Sequence, residues 1–218
     1  MTTLPRVRRT LLRDTAYEAI RDAIVRADIP PGAVVSNAAV AGQLGLSRAP
    51  VRDALARLAD EGLVETKPQS YTRVTRLVLK EVQDAAAVVR AMHELATRTA
   101  VPLLTAGHLE AMREANCRFA AAAQAGDVDA AMDSDDELHG VLVDVCGNRA
   151  VAATIERYTP LIRRLERRQF SSARARRSVQ RHDELIAACA AGDVEQAIQV
   201  TAQIWRSLED LADDLSAR

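Results

Sequence analysis

The N-terminal third of the chain carries apolar residues at helical spacing, divided by short segments that break helices. Residues 11–27 predict an amphipathic helix whose apolar face is formed by Leu12, Ala16, Ile20, Ala23 and Ile24. The segment 29–32, with two prolines and a glycine, ends that helix in a turn. A second short helix is predicted from a cap at Ser36 to a glycine at Gly45.

A third helix follows at once, with its own start, apolar stripe and end. Ser47 stands at its N-cap, and Pro50 falls in the first turn, where a missing N–H group costs little. Gly62 ends the helix. The side that packs into the core is predicted to consist of Val51, Ala54, Leu55 and Leu58.

Two short β-prone runs come next, Leu63–Thr66 and Thr72–Thr75, separated by a polar turn that contains Pro68. A helix, then a helix-turn-helix, then a hairpin is the order of elements in a winged helix-turn-helix domain. The first third of the chain is therefore predicted to adopt that fold.

The rest of the chain, from about residue 79, is Ala-rich helical sequence with few breakers. Two similar junctions, Gly126-Asp127 and Gly192-Asp193, place a glycine after one helix and an aspartate cap before the next. We expect a mainly α protein of two domains joined near Leu77–Lys80. These are a winged helix-turn-helix over residues 1–76 and an all-helical antiparallel bundle over residues 77–218.

Composition and charge agree with this division. Apolar residues make up 48% of the chain but aromatic residues only 3%, which favours closely packed helices over a β-sandwich. The net charge is −1, yet residues 1–80 hold 13 basic and 8 acidic side chains, against 16 and 22 in the remainder. A basic third on an acidic body is typical of a nucleic-acid-binding domain joined to another domain, with chance variation as the alternative.

The sequence predicts a cytoplasmic protein without a membrane partner. Apolar runs fall short of the roughly 20 residues that span a bilayer. The basic segment Met1–Arg13 lacks the apolar stretch of a signal peptide. Cys117, Cys146 and Cys189 are odd in number and widely spaced, which fits free thiols in a reducing compartment.

The start of the third helix carries the side chains that would contact DNA, because this part of a helix-turn-helix enters the major groove. Arg48 and Arg52 share the face opposite the apolar stripe, and a guanidinium matches both guanine edges and phosphate. The Ser47 hydroxyl and nearby amide groups can hold a phosphate. In the hairpin, Lys67 and Arg73 would add backbone or minor-groove contacts. A merely solvated arginine face is the alternative.

Over roughly residues 8–76 these motifs resemble the DNA-binding domain of the GntR family of bacterial transcription regulators. The resemblance rests on the 29–32 turn, the run Leu44–Leu55 and the segment Glu61–Val64. Ala27 and Tyr71 stand where the family usually has glycine, and Ala38 where some members have arginine. The DNA contacts that the resemblance implies fall on Ser47, Arg48, Ala49, Arg52, Lys67, Tyr71 and Arg73.

Residues 80–215 resemble the FCD effector domain, the C-terminal half of the FadR subgroup, in stretches that begin at Val89, Asp135 and His182. The resemblance implies a helical domain that dimerises and binds a small effector. Arg90 occupies a position that often lines the effector cavity, where a guanidinium would pair with an organic carboxylate. An ion pair with Glu94, one helical turn away, is the alternative.

Asp135 and His139 share one helix face, and His182 from a later helix could join them as metal ligands. Asp–His pairs on helices are also common without a metal. The resemblance implies a divalent cation (Zn²⁺, Ni²⁺ or Mn²⁺) held by one aspartate and three histidines. The third histidine is expected where the chain has Ile204, so the site is incomplete, and a metal-free pocket is the alternative.

Three other features complete the candidate chemistry of the helical domain. His93 stands at a usually apolar position of the resemblance, and it either contributes to the effector cavity or is a satisfied core histidine. Eight arginines between residues 163 and 181 are interpreted as a solvated face paired with acidic residues. Trp205 is expected in the core or in a dimer interface.

Together these observations predict a ligand-responsive transcription regulator, with repression favoured. It would bind a pseudo-palindromic double-stranded operator as a homodimer and respond to a small organic acid. A constitutive regulator whose helical domain only dimerises is the first alternative. A helical metal hydrolase using Asp135, His139 and His182 is the second, and it is disfavoured because no candidate base or nucleophile accompanies these residues. The chain is therefore not expected to be an enzyme.

Overall fold

A computed structural model describes the backbone over residues 12–67, 70–168 and 170–216, and the side chains of these residues except 172 and 209–216. Pro68, in the turn predicted between the strands, lies outside the described residues. The chain forms two compact units, Met1–Arg76 and Leu77–Arg218. The architecture is mainly helical with one small sheet, as the sequence predicts.

The first unit contains α1 (Leu12–Val25), α2 (Asn37–Leu44) and α3 (Arg48–Asp60), so the three predicted helices are confirmed. The Ser36 hydroxyl accepts a hydrogen bond from the Ala39 amide and caps α2, as expected. The core between these helices is apolar and closely packed, and its members include Tyr17, Ile20, Ile24, Val51, Leu55 and Leu58.

The wing is an antiparallel pair of β1 (Val64–Lys67) and β2 (Tyr71–Val74), each within one residue of its predicted span. A further short pairing, which the sequence did not predict, joins Val34 to Arg73. Its hydrogen bonds run from the Val35 amide to the Thr72 carbonyl (2.7 Å) and from the Val74 amide to the Ala33 carbonyl (3.0 Å). The segment before α2 thereby braces the wing.

The turn after α1 places Ala27 at φ +64°, in the left-handed region that favours glycine. The Ala27 amide donates to the Ile24 carbonyl and the Ile29 amide to the Ala23 carbonyl, which closes the C-terminal turn of α1. This is one of the two positions where the GntR resemblance expects glycine. The alanine therefore adopts a backbone conformation that favours glycine, at a cost in backbone strain.

The second unit is a bundle of helices in which α4 packs against α9, α7 and α6, and α5 packs against α6 and α8. The aspartate caps predicted at two junctions are confirmed. Asp127 accepts from the Ala130 amide and Asp193 from the Gln196 amide, each at 3.0 Å. The elements are α4 (Leu79–Ala100), a 3₁₀ turn (Val101–Leu103), α5 (Ala106–Ala125), α6 (Val128–Cys146), α7 (Arg149–Arg168), α8 (Ser172–Ala191) and α9 (Val194–Ser216).

None of the helices in the described part of the chain is both long and apolar enough to cross a bilayer. The three cysteines are free thiols, of which Cys189 is buried, Cys146 half-buried and Cys117 exposed.

Candidate functional site

The third helix presents its arginines outward. Arg48, Ala49 and Arg52 are exposed on α3, and the opposite face supplies the buried stripe of the first unit. The Arg52 guanidinium is 70% exposed and lies 3.7 Å from the Asp53 carboxylate, also at the surface. An exposed ion pair of this kind contributes little, so Arg52 can exchange it for a base or phosphate. The predicted orientation of this helix face is therefore confirmed.

Ser47 occupies the N-cap position of α3 with an extended backbone, but its side chain forms no capping bond to the described helix. The N-cap position predicted for Ser47 is thus confirmed, but without a side-chain cap of the kind that Ser36 provides to α2. The first amide groups of α3 and the exposed Ser47 hydroxyl stay available to an anion at the helix N-terminus.

The wing carries its candidate contacts on a polar face. Lys67 is exposed and pairs in register with Tyr71, and the Arg73 guanidinium lies 4.4 Å from the centre of the Tyr71 ring. Arg73 also forms an ion pair with Glu65 on the facing strand. Hydrogen bonding to Glu65 raises the pKa of Arg73. Arg73 is thus already engaged, and a phosphate would have to share it with Glu65.

In the second unit, α6 and α8 bring the three predicted ligands together. Asp135, His139 and His182 each offer a ligand atom, and these atoms lie within 4.8 Å of one another. His182 Nε2 lies 3.3 Å from Asp135 Oδ1, and His139 Nε2 lies 3.9 Å from the same oxygen. All three side chains are buried in the bundle.

The donor set fits a divalent cation. His182 Nε2 is buried and has no hydrogen-bond partner among the described residues, although it faces Asp135 Oδ1. Burial, opposed in part by Asp135, lowers the pKa of His139 to about 4, so this imidazole is neutral at physiological pH. A carboxylate oxygen and two imidazole nitrogens are ligands that Zn²⁺ and Ni²⁺ accept.

Sequence reasoning missed the strongest partner of this cluster, Arg163 on α7. Its Nη2 lies 2.6 Å from Asp135 Oδ2 and its Nη1 lies 2.7 Å from Glu166, and it also pairs with Asp136. The predicted pairing of the arginine run with acidic residues is confirmed at Arg163, but the predicted solvent exposure is wrong at Arg163 and Arg164, since both are buried. One sequence signal could have shown that Arg163 is buried, namely its position between the core residues Ile162 and Leu165.

The ion-pair network shifts the titration of its members. Burial would raise the pKa of Asp135, but the Arg163 guanidinium and the neighbouring imidazoles hold it well below its usual range. Burial, together with the charges of Asp135 and Asp136, raises the pKa of Glu166 to about 7 against the opposing effect of Arg163. The carboxyl group of Asp135, a candidate metal ligand, is therefore ionised at physiological pH.

His93 on α4 and Trp205 on α9 close one side of the cluster. Their rings stack at 4.4 Å, and His93 meets His139 edge to face at 5.7 Å. Both residues are buried, as expected for core residues. Burial, with help from His139 and Arg163, lowers the pKa of His93 well below its usual value. His93 is thus a neutral ring beside the candidate ligands.

Arg90 pairs with Glu94 on its own helix at 3.2 Å, which is the alternative left open by the sequence. Arg90 does not line the cavity that opens beside Asp135, so its role in binding an effector stays a prediction. Ile204, at the position expected for a third histidine, packs into the core and also borders this cavity.

A cavity of about 300 Å³ opens beside the cluster, between α5, α6, α7, α8 and α9. Asp135, Arg163 and Glu166 form one part of its wall, where the guanidinium pairs with both carboxylates. Another part is a row of arginines on one face of α8, namely Arg174, Arg177 and Arg181. Phe119, Met132 and Phe170 add apolar surface, and Ser171, Ser178, Gln203 and Ser207 add polar groups. The wall therefore suits an organic anion.

Comparison with known proteins identifies the family to which the chain belongs. Residues 12–74 match the bacterial regulatory proteins of the gntR family, and residues 83–207 match the FCD domain. The chain is 25% identical over 154 residues to the "HTH-type transcriptional repressor RspR" of Escherichia coli, covering 71% of this chain and 68% of that protein. It is 37% identical over 94 residues to the "Probable D-xylose utilization operon transcriptional repressor" of Paenarthrobacter nicotinovorans, covering 41% and 42%.

Solved structures share the fold at low sequence identity. E. coli McbR/YncC superposes with a TM-score of 0.84 at 19% identity, covering 95% of this chain and all of that one. A GntR regulator from Rhodococcus sp. RHA1 gives 0.75 at 20% identity, covering 94% and 98%. The relatives are DNA-binding transcription regulators and not enzymes. This chain belongs to the GntR family of bacterial regulatory proteins, with a GntR helix-turn-helix domain followed by an FCD domain.

Proposed function

We propose that this protein is a metabolite-responsive repressor that acts in the cytoplasm and binds a pseudo-palindromic operator as a homodimer. The observation that carries the proposal is the pairing, on one chain, of an exposed Arg48 and Arg52 face with a buried ligand cluster that borders a cavity. The repressor names of the E. coli and Paenarthrobacter relatives support repression over activation.

DNA recognition is assigned to α3 and the wing. Arg48 and Arg52 reach base edges, while Ser47 and the amide groups at the start of α3 hold a phosphate. Ala49 is small and exposed between the two arginines, so it lets the helix approach the bases closely. Lys67, Tyr71 and Arg73 contact the backbone or the minor groove from the wing.

A homodimer places two such helices on the two halves of an operator. The exposed face of α4 supports this assembly, because Val88 and Leu95 are 40% and 41% exposed there and Ala91 lies exposed between them. An apolar stripe of this kind is a surface that a second copy of the chain can cover.

A divalent cation is assigned to Asp135, His139 and His182. The carboxylates of Asp135, Asp136 and Glu166 meet one guanidinium, that of Arg163, so a further cation would balance the charge. Ile204 offers no donor atom at the place of a third histidine, which leaves ligand positions to water or an effector. When bound, Zn²⁺, Ni²⁺ or Mn²⁺ would supply a Lewis acid for a carboxylate oxygen.

The effector is assigned to the cavity, as an organic acid with hydroxyl groups or a second acidic group. Within the described side chains, neither Arg174 nor Arg177 has a carboxylate partner, and the Arg174 Nε atom is buried without a hydrogen bond. A bound carboxylate would satisfy these donors. Arg90 and His93 on α4 are also proposed as effector contacts. A change in the Arg90–Glu94 ion pair would then carry the signal of effector binding along α4.

Regulation requires that the effector bind the DNA-competent and DNA-incompetent arrangements with different affinity. If the helical domain only dimerised, operator affinity would not depend on any small molecule. This difference separates our proposal from a constitutive regulator.

The test measures operator affinity by fluorescence anisotropy, with DNA from upstream of the protein's own gene. Protein stripped with EDTA and protein reloaded with Zn²⁺, Ni²⁺ or Mn²⁺ are compared against a panel of mono-, di- and hydroxycarboxylic acids. We expect at least one acid to weaken binding by about 5- to 150-fold, the usual range of allosteric coupling, and only in the reloaded protein. Unchanged affinity throughout would establish the constitutive alternative.

Two neighbouring arginines provide a matched pair of variants. Arg177→Ala removes a cation from the cavity wall and should abolish the response to the acid without changing operator affinity in its absence. Arg176→Ala removes an adjacent exposed arginine that does not border this cavity, and it should respond as the wild type does. Equal effects of the two variants would place the effector elsewhere.

A further inference from the structure

We propose that Asn116 and Asp183 form a tautomer lock that keeps the proton of His182 on Nδ1 and reserves Nε2 as a metal ligand. The inference deepens the proposed function and rests on its metal site. Neither Asn116 nor Asp183 belongs to the Asp135, His139 and His182 cluster, and both act on it through the far side of one imidazole.

The lock is a chain of three side chains from α5 and α8. Asn116 is buried on α5, with its Nδ2 group 2.8 Å from Asp183 Oδ1 and 3.3 Å from the Val179 carbonyl oxygen. Its Oδ1 atom lies 3.0 Å from Nδ1 of His182. The imidazole itself is fully buried.

The partners of Asn116 fix which way its amide faces. A carboxylate and a backbone carbonyl only accept hydrogen bonds, so the amide nitrogen must point at Asp183 and Val179. The reversed amide would set its oxygen against two acceptors at hydrogen-bond distance and leave both without a donor. The amide oxygen therefore faces His182.

The direction of the amide then fixes the tautomer of the imidazole. Because Asn116 Oδ1 can only accept, Nδ1 of His182 carries the hydrogen and donates it. A neutral imidazole holds one N–H, so Nε2 keeps a lone pair. That atom is buried, has no hydrogen-bond partner by distance and angle among the side chains that the structure describes, and faces Asp135 Oδ1 at 3.3 Å.

Two acceptors that face each other in a buried site repel unless a proton or a metal cation lies between them. With the hydrogen of the neutral ring held on Nδ1, a metal cation is the group that would relieve this repulsion. Arg163 satisfies the other oxygen of Asp135, Oδ2, and leaves Oδ1 directed at His182. The tautomer lock thus holds His182 Nε2 and Asp135 Oδ1 side by side as two ligand atoms that are ready to bind one cation. Asn116 and Asp183 are positioning residues, of the kind that hold the second nitrogen of metal-bound histidines.

The primary experiment reads the tautomer directly, in protein freed of metal with EDTA. Long-range ¹H–¹⁵N correlation NMR on ¹⁵N-histidine-labelled protein at mildly alkaline pH identifies which nitrogen of His182 is protonated, with His182→Gln used to assign the signals. We expect an Nδ1–H tautomer in the wild type. An Nε2–H tautomer, or protons on both nitrogens, would overturn the proposal.

The variants change the acceptor that faces Nδ1. Asn116→Leu removes it at similar volume, so His182 should lose its Nδ1–H signature, and Ni²⁺ or Co²⁺ affinity should fall by about 10- to 100-fold. The exchanged pair Asn116→Asp with Asp183→Asn keeps an acceptor toward His182 and a donor from residue 183. It should restore both properties, although the Val179 carbonyl loses the donor that Asn116 provides. If the exchanged pair shows the Leu variant's defects, the lock is refuted.

Asp183 is tested on its own because it is exposed and its replacement leaves the core intact. Asp183→Ala should give a mixture of His182 tautomers and weaker metal binding, whereas Glu184→Ala, at the adjacent exposed position, should change neither. A wild-type spectrum and affinity for Asp183→Ala would overturn the role of Asp183. Circular dichroism melting confirms that each variant is folded.

The two proposals fail in different ways. A wild-type protein that shows the Nδ1–H tautomer but binds no Ni²⁺, Co²⁺ or Zn²⁺ in calorimetry supports the lock and refutes the metal site. A protein that binds the metal but shows the Nε2–H tautomer before loading refutes the lock and leaves the metal site in place.

Discussion

Arg163 and Asp135 face each other from α7 and α6 within the helical unit, with 2.6 Å between Nη2 and Oδ2 and with side chains that are only 6% and 13% exposed. The pair ties the helix of the arginine run to the helix that supplies two candidate metal ligands. It holds Asp135 ionised and leaves Oδ1 for other partners. The stability of the helical unit and the ability of Asp135 to bind a metal ion therefore depend on the same contact.

Removing this arginine should destabilise the protein strongly. Arg163→Met leaves the buried Asp135 and Glu166 carboxylates without their cation, for which we expect a loss of about 3–5 kcal/mol in the free energy of unfolding. Urea denaturation followed by circular dichroism measures it. Arg167→Met, one turn further along α7, breaks a pair with the exposed Asp129 and should cost under about 1 kcal/mol. Similar losses in the two variants would contradict the role given to Arg163.

The buried imidazole of His139 should make the metal-free protein sensitive to acid. Its pKa is lowered from 6.5 to about 4 in the folded state, so the unfolded chain binds more protons between these values and stability falls as pH decreases through that window. The contribution is on the order of 3 kcal/mol, from the conversion of a pKa difference into free energy. Its measure is the difference between the wild type and His139→Gln in urea-denaturation profiles with EDTA.

Glu166 has the opposite effect on stability. Its pKa is raised to about 7, so the free energy of unfolding falls as pH increases above 4.5. Glu166 is present in both proteins, so subtracting the His139→Gln profile from that of the wild type removes its contribution. Parallel pH profiles for the wild type and His139→Gln would show that His139 is not held neutral by the fold.

The strained turn after α1 offers a stabilising substitution. Ala27→Gly should raise the free energy of unfolding by about 1 kcal/mol, because glycine adopts φ +64° without the penalty that a Cβ atom incurs. Ala56→Gly, at an exposed interior position of α3, should lower it by about 1 kcal/mol. Thermal and urea denaturation of the two variants should therefore differ in sign, and a loss of stability in both would mean that the turn relaxes around alanine.

The apolar stripe on α4 gives a test of assembly. Leu95→Glu places a charge on the surface assigned to the partner copy, and in sedimentation experiments it should convert the proposed dimer into a monomer. Leu103→Glu changes a leucine that is 59% exposed and lies beyond the stripe, and it should leave the dimer intact. A Leu95→Glu protein that stays dimeric would place the interface on another face.

The sequence predicted the features that depend on local periodicity and capping. The α3 stripe, the glycine-aspartate junctions and the Asp135 and His139 face follow from helical spacing, and the structure reproduces them. It could not predict Arg163 beside Asp135, since a charged residue in an arginine-rich run normally points to solvent. The sequence could not predict the contact between Asn116 and His182 either, because the two residues lie on different helices and are 66 positions apart.

Specific DNA binding should depend on Arg52 more than on arginines elsewhere. Arg52→Ala removes an exposed guanidinium whose partner in this structure is a weak surface pair with Asp53, and it should cost about 1–3 kcal/mol in operator affinity if it reads a base edge. The same substitution should weaken binding to unrelated DNA much less, because base contacts carry the specificity. Arg113→Ala, an exposed arginine of α5 paired with Glu110, is the control. Operator affinity measured across several salt concentrations separates the two contributions, and an Arg52→Ala protein that loses affinity equally for all sequences would assign this arginine to a phosphate instead.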